Sequence, residues 1–74
     1  MTGGSEVSVE LIVNGADHQL PSGVTVAELV ATVTGQTRGV AVAVNGEVVP
    51  RAGWPAAVLR TGDRVEVLTA AQGG

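Results

Sequence analysis

Two Asn-Gly dipeptides, Asn14-Gly15 and Asn45-Gly46, constrain this chain more than any other feature. Each follows a run of alternating apolar residues, and each supplies the two positive φ angles that a two-residue hairpin turn demands. Before the first, Val7, Val9, Leu11 and Val13 alternate with Ser8, Glu10 and Ile12, which is the period of a strand with one buried face. Ile12 departs from the polar set and is expected on a partly covered outer face. After the turn, Ala16 to Leu20 returns antiparallel with Leu20 inward, until Pro21-Ser22-Gly23 stops it. Before the second turn, Val40-Ala41-Val42-Ala43-Val44 reads as a central strand. Its Val residues face the core, and its Ala residues leave room for a close neighbour on the other side. Glu47-Val48-Val49 returns briefly before Pro50 ends it.

Between the hairpins, Thr25-Val26-Ala27-Glu28 opens a helix. Thr25 and Glu28 are spaced to form a capping box, with Val24 and Leu29 as the hydrophobic staple. Val26, Leu29, Val30 and Val33 fall on one helical stripe, and Gly35 is placed to close the C-terminus. Its β-branched residues make this a poor helix in isolation, so burial against a sheet must hold it. Residues 51–60 read as irregular. Gly62-Asp63 then turns the chain into a last strand, Arg64 to Leu68, with Val65 and Val67 inward. The expected order is β-β-α-β-β-β. It predicts an α+β fold in which a mixed sheet of four to five strands wraps over one helix, with the first and last strands side by side in the centre. The expected organisation is a disordered leader over 1–6, one domain over 7–69 and a flexible tail over 70–74.

At 74 residues the chain is near the size at which a hydrophobic core only just stabilises a fold. It has no Cys, so neither a disulfide nor a thiol side chain is available, and nothing resembles a zinc site. A net charge of −3 with only four cationic residues argues against nucleic acid and suits docking to a basic face of a protein partner. No apolar run reaches membrane-spanning length, and the first ten residues lack the pattern of a signal peptide, so the cytoplasm is the expected compartment.

The sequence closes on Gln72-Gly73-Gly74. Glycine loses the most conformational entropy on ordering, so this stretch is expected to be mobile when free. Lacking a β-carbon, it can pass through a channel too narrow for other residues. Fully extended, Ala70 to Gly74 spans about 17 Å. These properties point to the carboxyl carbon of Gly74 as the working atom.

The side chains offer no competing chemistry. His18 is the only His and is expected to be an exposed strand residue rather than a base or ligand. Ser5, Ser8 and Ser22 have no partners at triad spacing. Asp17, Glu28, Glu47, Asp63 and Glu66 are scattered. No phosphate-binding glycine motif is present. Trp54, the only aromatic residue, is expected to plug one end of the core. Arg51 and Arg60 fit an acidic partner patch or plain solvent equally well. The chain is not expected to be an enzyme.

Asn45-Gly46-Glu47-Val48-Val49-Pro50-Arg51, Trp54, Leu59, Gly62-Asp63-Arg64-Val65-Glu66-Val67 and Gly73-Gly74 together resemble the sulfur carrier proteins of thiamine biosynthesis, the ThiS family. The likeness extends upstream to Val13-Asn14-Gly15 and Thr25-Val26-Ala27-Glu28-Leu29. It implies a β-grasp, ubiquitin-like fold. It also implies that a ThiF-like adenylyltransferase, using ATP and magnesium that this chain does not itself bind, converts the Gly74 carboxylate to an acyl adenylate. Sulfur from cysteine, drawn through a cysteine desulfurase, then replaces AMP to leave a thiocarboxylate for a ThiG-like thiazole synthase. Gly73 and Gln72 would carry that end into the partner. Gln72 departs from the apolar residue or third glycine common there, which leaves its channel contacts open. The outer face of the last strand, at Arg64, Glu66 and Leu68, is the expected docking face. Three other readings compete with this one. They are a sulfur-carrying small subunit of molybdopterin synthase (MoaD-like), a ubiquitin-like protein modifier, and a β-grasp interaction module with an incidental tail.

Overall fold

A computed structural model describes residues 8–35 and 38–69. Five strands form one sheet: β1 (Ser8–Val13), β2 (Ala16–Pro21), β3 (Val40–Val44), β4 (Glu47–Val48) and β5 (Arg64–Thr69). The spatial order is β2-β1-β5-β3-β4. β1 and β5 run parallel in the middle, and the other neighbouring pairs are antiparallel. One helix, α1 (Val26–Val33), contributes its apolar side to the core that lines one face of the sheet. This is the β-grasp arrangement, and β1 and β5 share its centre as expected. The expected leader over 1–6 and tail over 70–74 lie outside the described residues, as does Val7.

The turns form for the reason their sequences imply. Asn14 and Asn45 hold φ of 52° and 51°, and the glycines after them 82° and 87°. Val13 therefore faces Ala16 across the first hairpin, and every second residue of β1 returns to the same face. Leu11 and Val13 are buried while Ile12 is half-covered on the outer side. β3 is interior, between β5 and β4, but the sheet's middle belongs to β5.

The α1 start carries the full capping box. The Glu28 N–H donates to Thr25 Oγ1 at 3.2 Å, and the Thr25 N–H donates to Glu28 Oε1 at 3.1 Å. Val24 and Leu29, the staple pair, both join the core. The C-terminus departs from expectation. Thr34 takes an extended conformation (φ −146°) and its N–H still reaches the Val30 carbonyl at 2.8 Å. Gly35 is not left-handed, so it does not cap the helix. Val33, the last residue of α1, is 37% exposed, so the buried part of the predicted stripe is Val26, Leu29 and Val30.

The segment expected to be irregular contains a 3-10 helix, Arg51–Ala56. Trp54 organises it. The indole is buried, and its N–H donates to the Val49 carbonyl at 2.9 Å. That bond closes the loop on itself and makes Trp54 part of the core, as expected. Past this helix, Leu59 donates to the Val24 carbonyl and Val26 to the Ala57 carbonyl, both at 2.9 Å. The connection is thereby stitched to the start of α1. The core has no buried polar or charged side chain among the described residues. No helix among them is long and apolar enough to cross a membrane.

Candidate functional site: the outer face of the last strand

β5 sets the geometry. Val65 and Val67 are buried on the core side, which turns Arg64, Glu66 and Leu68 outward, and all three are exposed. Directly paired residues send their side chains to the same face. The pairings Ile12↔Arg64, Ala43↔Glu66, Ala41↔Leu68 and Ala43↔Val48 therefore place Ile12, Ala41, Ala43 and Val48 around these three. Leu68 is 64% exposed and Val48 74%. Two large apolar side chains thus stand on a floor of small ones, beside one cation and one anion. The Ala residues of β3 do leave this surface low, so a partner can approach the sheet closely.

Two residues legible only as turn formers also shape this face. Asn14 Oδ1 accepts from the Val67 N–H at 2.9 Å, and Asn14 Nδ2 donates to the Val67 carbonyl at 3.1 Å. Asn45 Oδ1 accepts from the Arg64 N–H at 3.0 Å, and its Nδ2 donates to Asp63 Oδ1 at 3.0 Å. Both hairpin turns thus clasp β5, one on each flank and at opposite ends. Sequence reasoning missed this role, and although it set Ile12 and the Ala residues of β3 on the outer side, it did not join Ile12, Ala41, Ala43 and Val48 to the β5 residues. Alternation along β3 and β4 held the signal for the last three.

The remaining candidates stand apart. His18 is half-buried opposite Leu11 on β2, an edge strand, rather than openly exposed. Glu28 is spent on the cap, and Asp63 on the turn, where it also accepts from the Arg60 N–H at 2.9 Å. Arg51 lies over the Trp54 ring, 5.5 Å from its centre. Gln72, Gly73 and Gly74 lie outside the described residues.

Comparison with known proteins bears on the family and the fold. The model of the ThiS family matches residues 8–74. The crystal structure of the thiamine biosynthesis protein ThiS from Geobacter metallireducens superposes with a TM-score of 0.75 at 33% identity, covering 89% of this chain and 100% of that one. A solution NMR structure of a thiamine biosynthesis protein from the same organism gives 0.74 at 31% identity, covering 89% and 88%. Among curated proteins, none matches.

Proposed function

The chain belongs to the ThiS family, and on that premise we propose that it is the sulfur carrier for thiazole assembly in thiamine biosynthesis, loaded at the carboxyl group of Gly74. The observation that carries this reading is the extent of the family match, which runs from β1 through Gly73-Gly74. The fold supports it, because the conspicuous exposed surface lies on the strand that leads to that end.

The chemistry assigns a narrow task to the chain. A carboxylate is ionised at pH 7 and is a poor electrophile. A ThiF-like adenylyltransferase, supplying ATP and magnesium, joins the carboxylate oxygen to the α-phosphorus of ATP and expels pyrophosphate. AMP is then a good leaving group at an activated carbonyl. A persulfide, formed when a desulfurase moves sulfur from cysteine to its own thiol, displaces it to give an acyl disulfide. A second thiol, such as that of excess cysteine, then cleaves the S–S bond as reductant and ends in a disulfide, leaving the thiocarboxylate for a ThiG-like synthase. The chain contributes no catalytic side chain. It offers its docking face at Arg64, Glu66 and Leu68, and a slim approach through Gln72 and Gly73.

Intact mass measurement after incubation with the adenylyltransferase, a cysteine desulfurase, cysteine and ATP tests this. One oxygen exchanged for sulfur raises the mass by about 16 Da, as terminal acyl chemistry requires. No gain, with the enzymes active on another carrier, sinks the reading. Gly74→Ala is expected to stay folded yet lose most adenylation, since its methyl group meets the narrow channel. Unaltered turnover of that variant would refute the channel argument.

A further inference from the structure

β5 leads to the proposed working end, and its two flanks are closed to different depths. On the β3 side the ladder runs to the pair Val40↔Thr69. On the β1 side it stops early. Ile12 and Val13 pair with Arg64 and Val65, and the chain then turns away at Asn14-Gly15. The Asn14 amide extends that flank by one step, bonding both the N–H and the carbonyl of Val67. Backbone groups alternate in direction along a strand, so those of Thr69 face the same way as those of Val67. Among the described residues, no backbone group is paired with them on that side. A groove on the outer face runs along the β1–β5 flank from Ile12 and Arg64, past Asn14 and Gly15 at the hairpin tip, to Glu66 and Leu68, the residue before Thr69.

We infer that this notch is a docking slot for one extended segment of the protein that acts on the Gly-Gly end. The segment adds to β5 as a new strand and takes up the N–H and carbonyl of Thr69. A donor and an acceptor side by side on one strand residue are matched in spacing by another strand. Thr69 is the described residue nearest in sequence to the proposed working end, so a partner that acts on that end is brought close to the slot. The charges fit as well. Glu66 lies next to Leu68 in strand order, while Asp17 and Arg64 stand on either side of Ile12 at the groove's other end. A carboxylate close to the exposed leucine suits a segment whose apolar residue sits near a cationic one. Asn14 acts as a stop, because it satisfies Val67 and leaves Thr69 as the first position open to pairing. The inference rests on the proposed function only for the identity of the partner.

Amide exchange on the isotope-labelled wild-type chain, free and saturated with the unlabelled adenylyltransferase, reads the slot directly. The Thr69 amide is expected to slow by at least about ten-fold on binding, as a newly protected backbone group does. Unchanged exchange at Thr69 in the saturated complex overturns the slot. Thr69→Pro gives an independent reading. It removes a donor that faces the slot while leaving the β3 ladder, and such an open edge tolerates proline. Affinity for the adenylyltransferase is expected to fall about ten-fold, the equivalent of one or two hydrogen bonds, with Thr69→Ala unchanged. Wild-type affinity in Thr69→Pro overturns the slot. Thr69 protection without any mass gain would support the slot and sink the sulfur chemistry, whereas mass gain without protection does the reverse.

Discussion

Asn14 and Asn45 each combine two roles that no other residue type joins. Glycine accepts the positive φ but has no side chain to reach β5. Aspartate accepts the angle and can receive a hydrogen bond, but at neutral pH it cannot donate one. The Asn14 clasp makes two bonds to Val67, and a protein hydrogen bond contributes about 0.5–1.5 kcal/mol net. Asn14→Gly is therefore expected to cost about 1–2 kcal/mol in urea unfolding. Asn14→Ala should cost about 1 kcal/mol more, from the left-handed backbone alone. If the glycine variant matched wild type, the clasp would contribute nothing. The turn role was legible from the dipeptide, since it depends on two adjacent residues. The clasp was not, because its partner lies fifty-three residues away and only the assembled sheet brings it near.

Elements with a clear period matched their sequence signals. The capping box and the stripe Val26, Leu29 and Val30 located α1, and alternation located β1, β3 and β5. The two departures share a cause. Gly35 looked like a helix stop because glycine commonly serves as one, but the chain can also leave a helix through an extended residue, here Thr34. Gly53 and Pro55 likewise disguised the 3-10 helix, whose order comes from the buried Trp54 and not from local propensity. A prediction of sign follows for Gly35. A β-carbon there meets no atom within 4 Å and no left-handed angle is required. Gly35→Ala should thus stabilise the domain by about 0.4–1 kcal/mol, by reducing the freedom of the unfolded chain. Thermal unfolding checks it, and a clear loss of stability would restore Gly35 as a cap.

For the molecule as a whole, the stability margin is thin. A domain of this length holds about 4–11 kcal/mol, at roughly 0.05–0.15 kcal/mol per residue. Leu11, at 1% exposure, sits where β1 meets the centre of the core. Leu11→Ala is expected to remove about 2–5 kcal/mol, a large part of that margin. Leu68→Ala on the outer face should change stability by less than about 0.5 kcal/mol. Urea unfolding of the pair separates the residues that hold the fold from those left on the outer face. Equal losses would contradict that division. The fold was readable at this scale because strand lengths and turns leave few ways to close a sheet over one helix. The outer face proposed for docking was only partly readable, since its apolar members come from four strands and gather only when the register is set.

The parallel pairing of β1 with β5 joins positions fifty-two residues apart, Ile12 with Arg64. The sheet therefore cannot close until Arg64 to Thr69 has been synthesised and can reach β1. A product terminated before Arg64 lacks the strand that joins the two hairpins, so it is left unfolded for the cell's proteases to clear rather than persisting as a well-folded decoy.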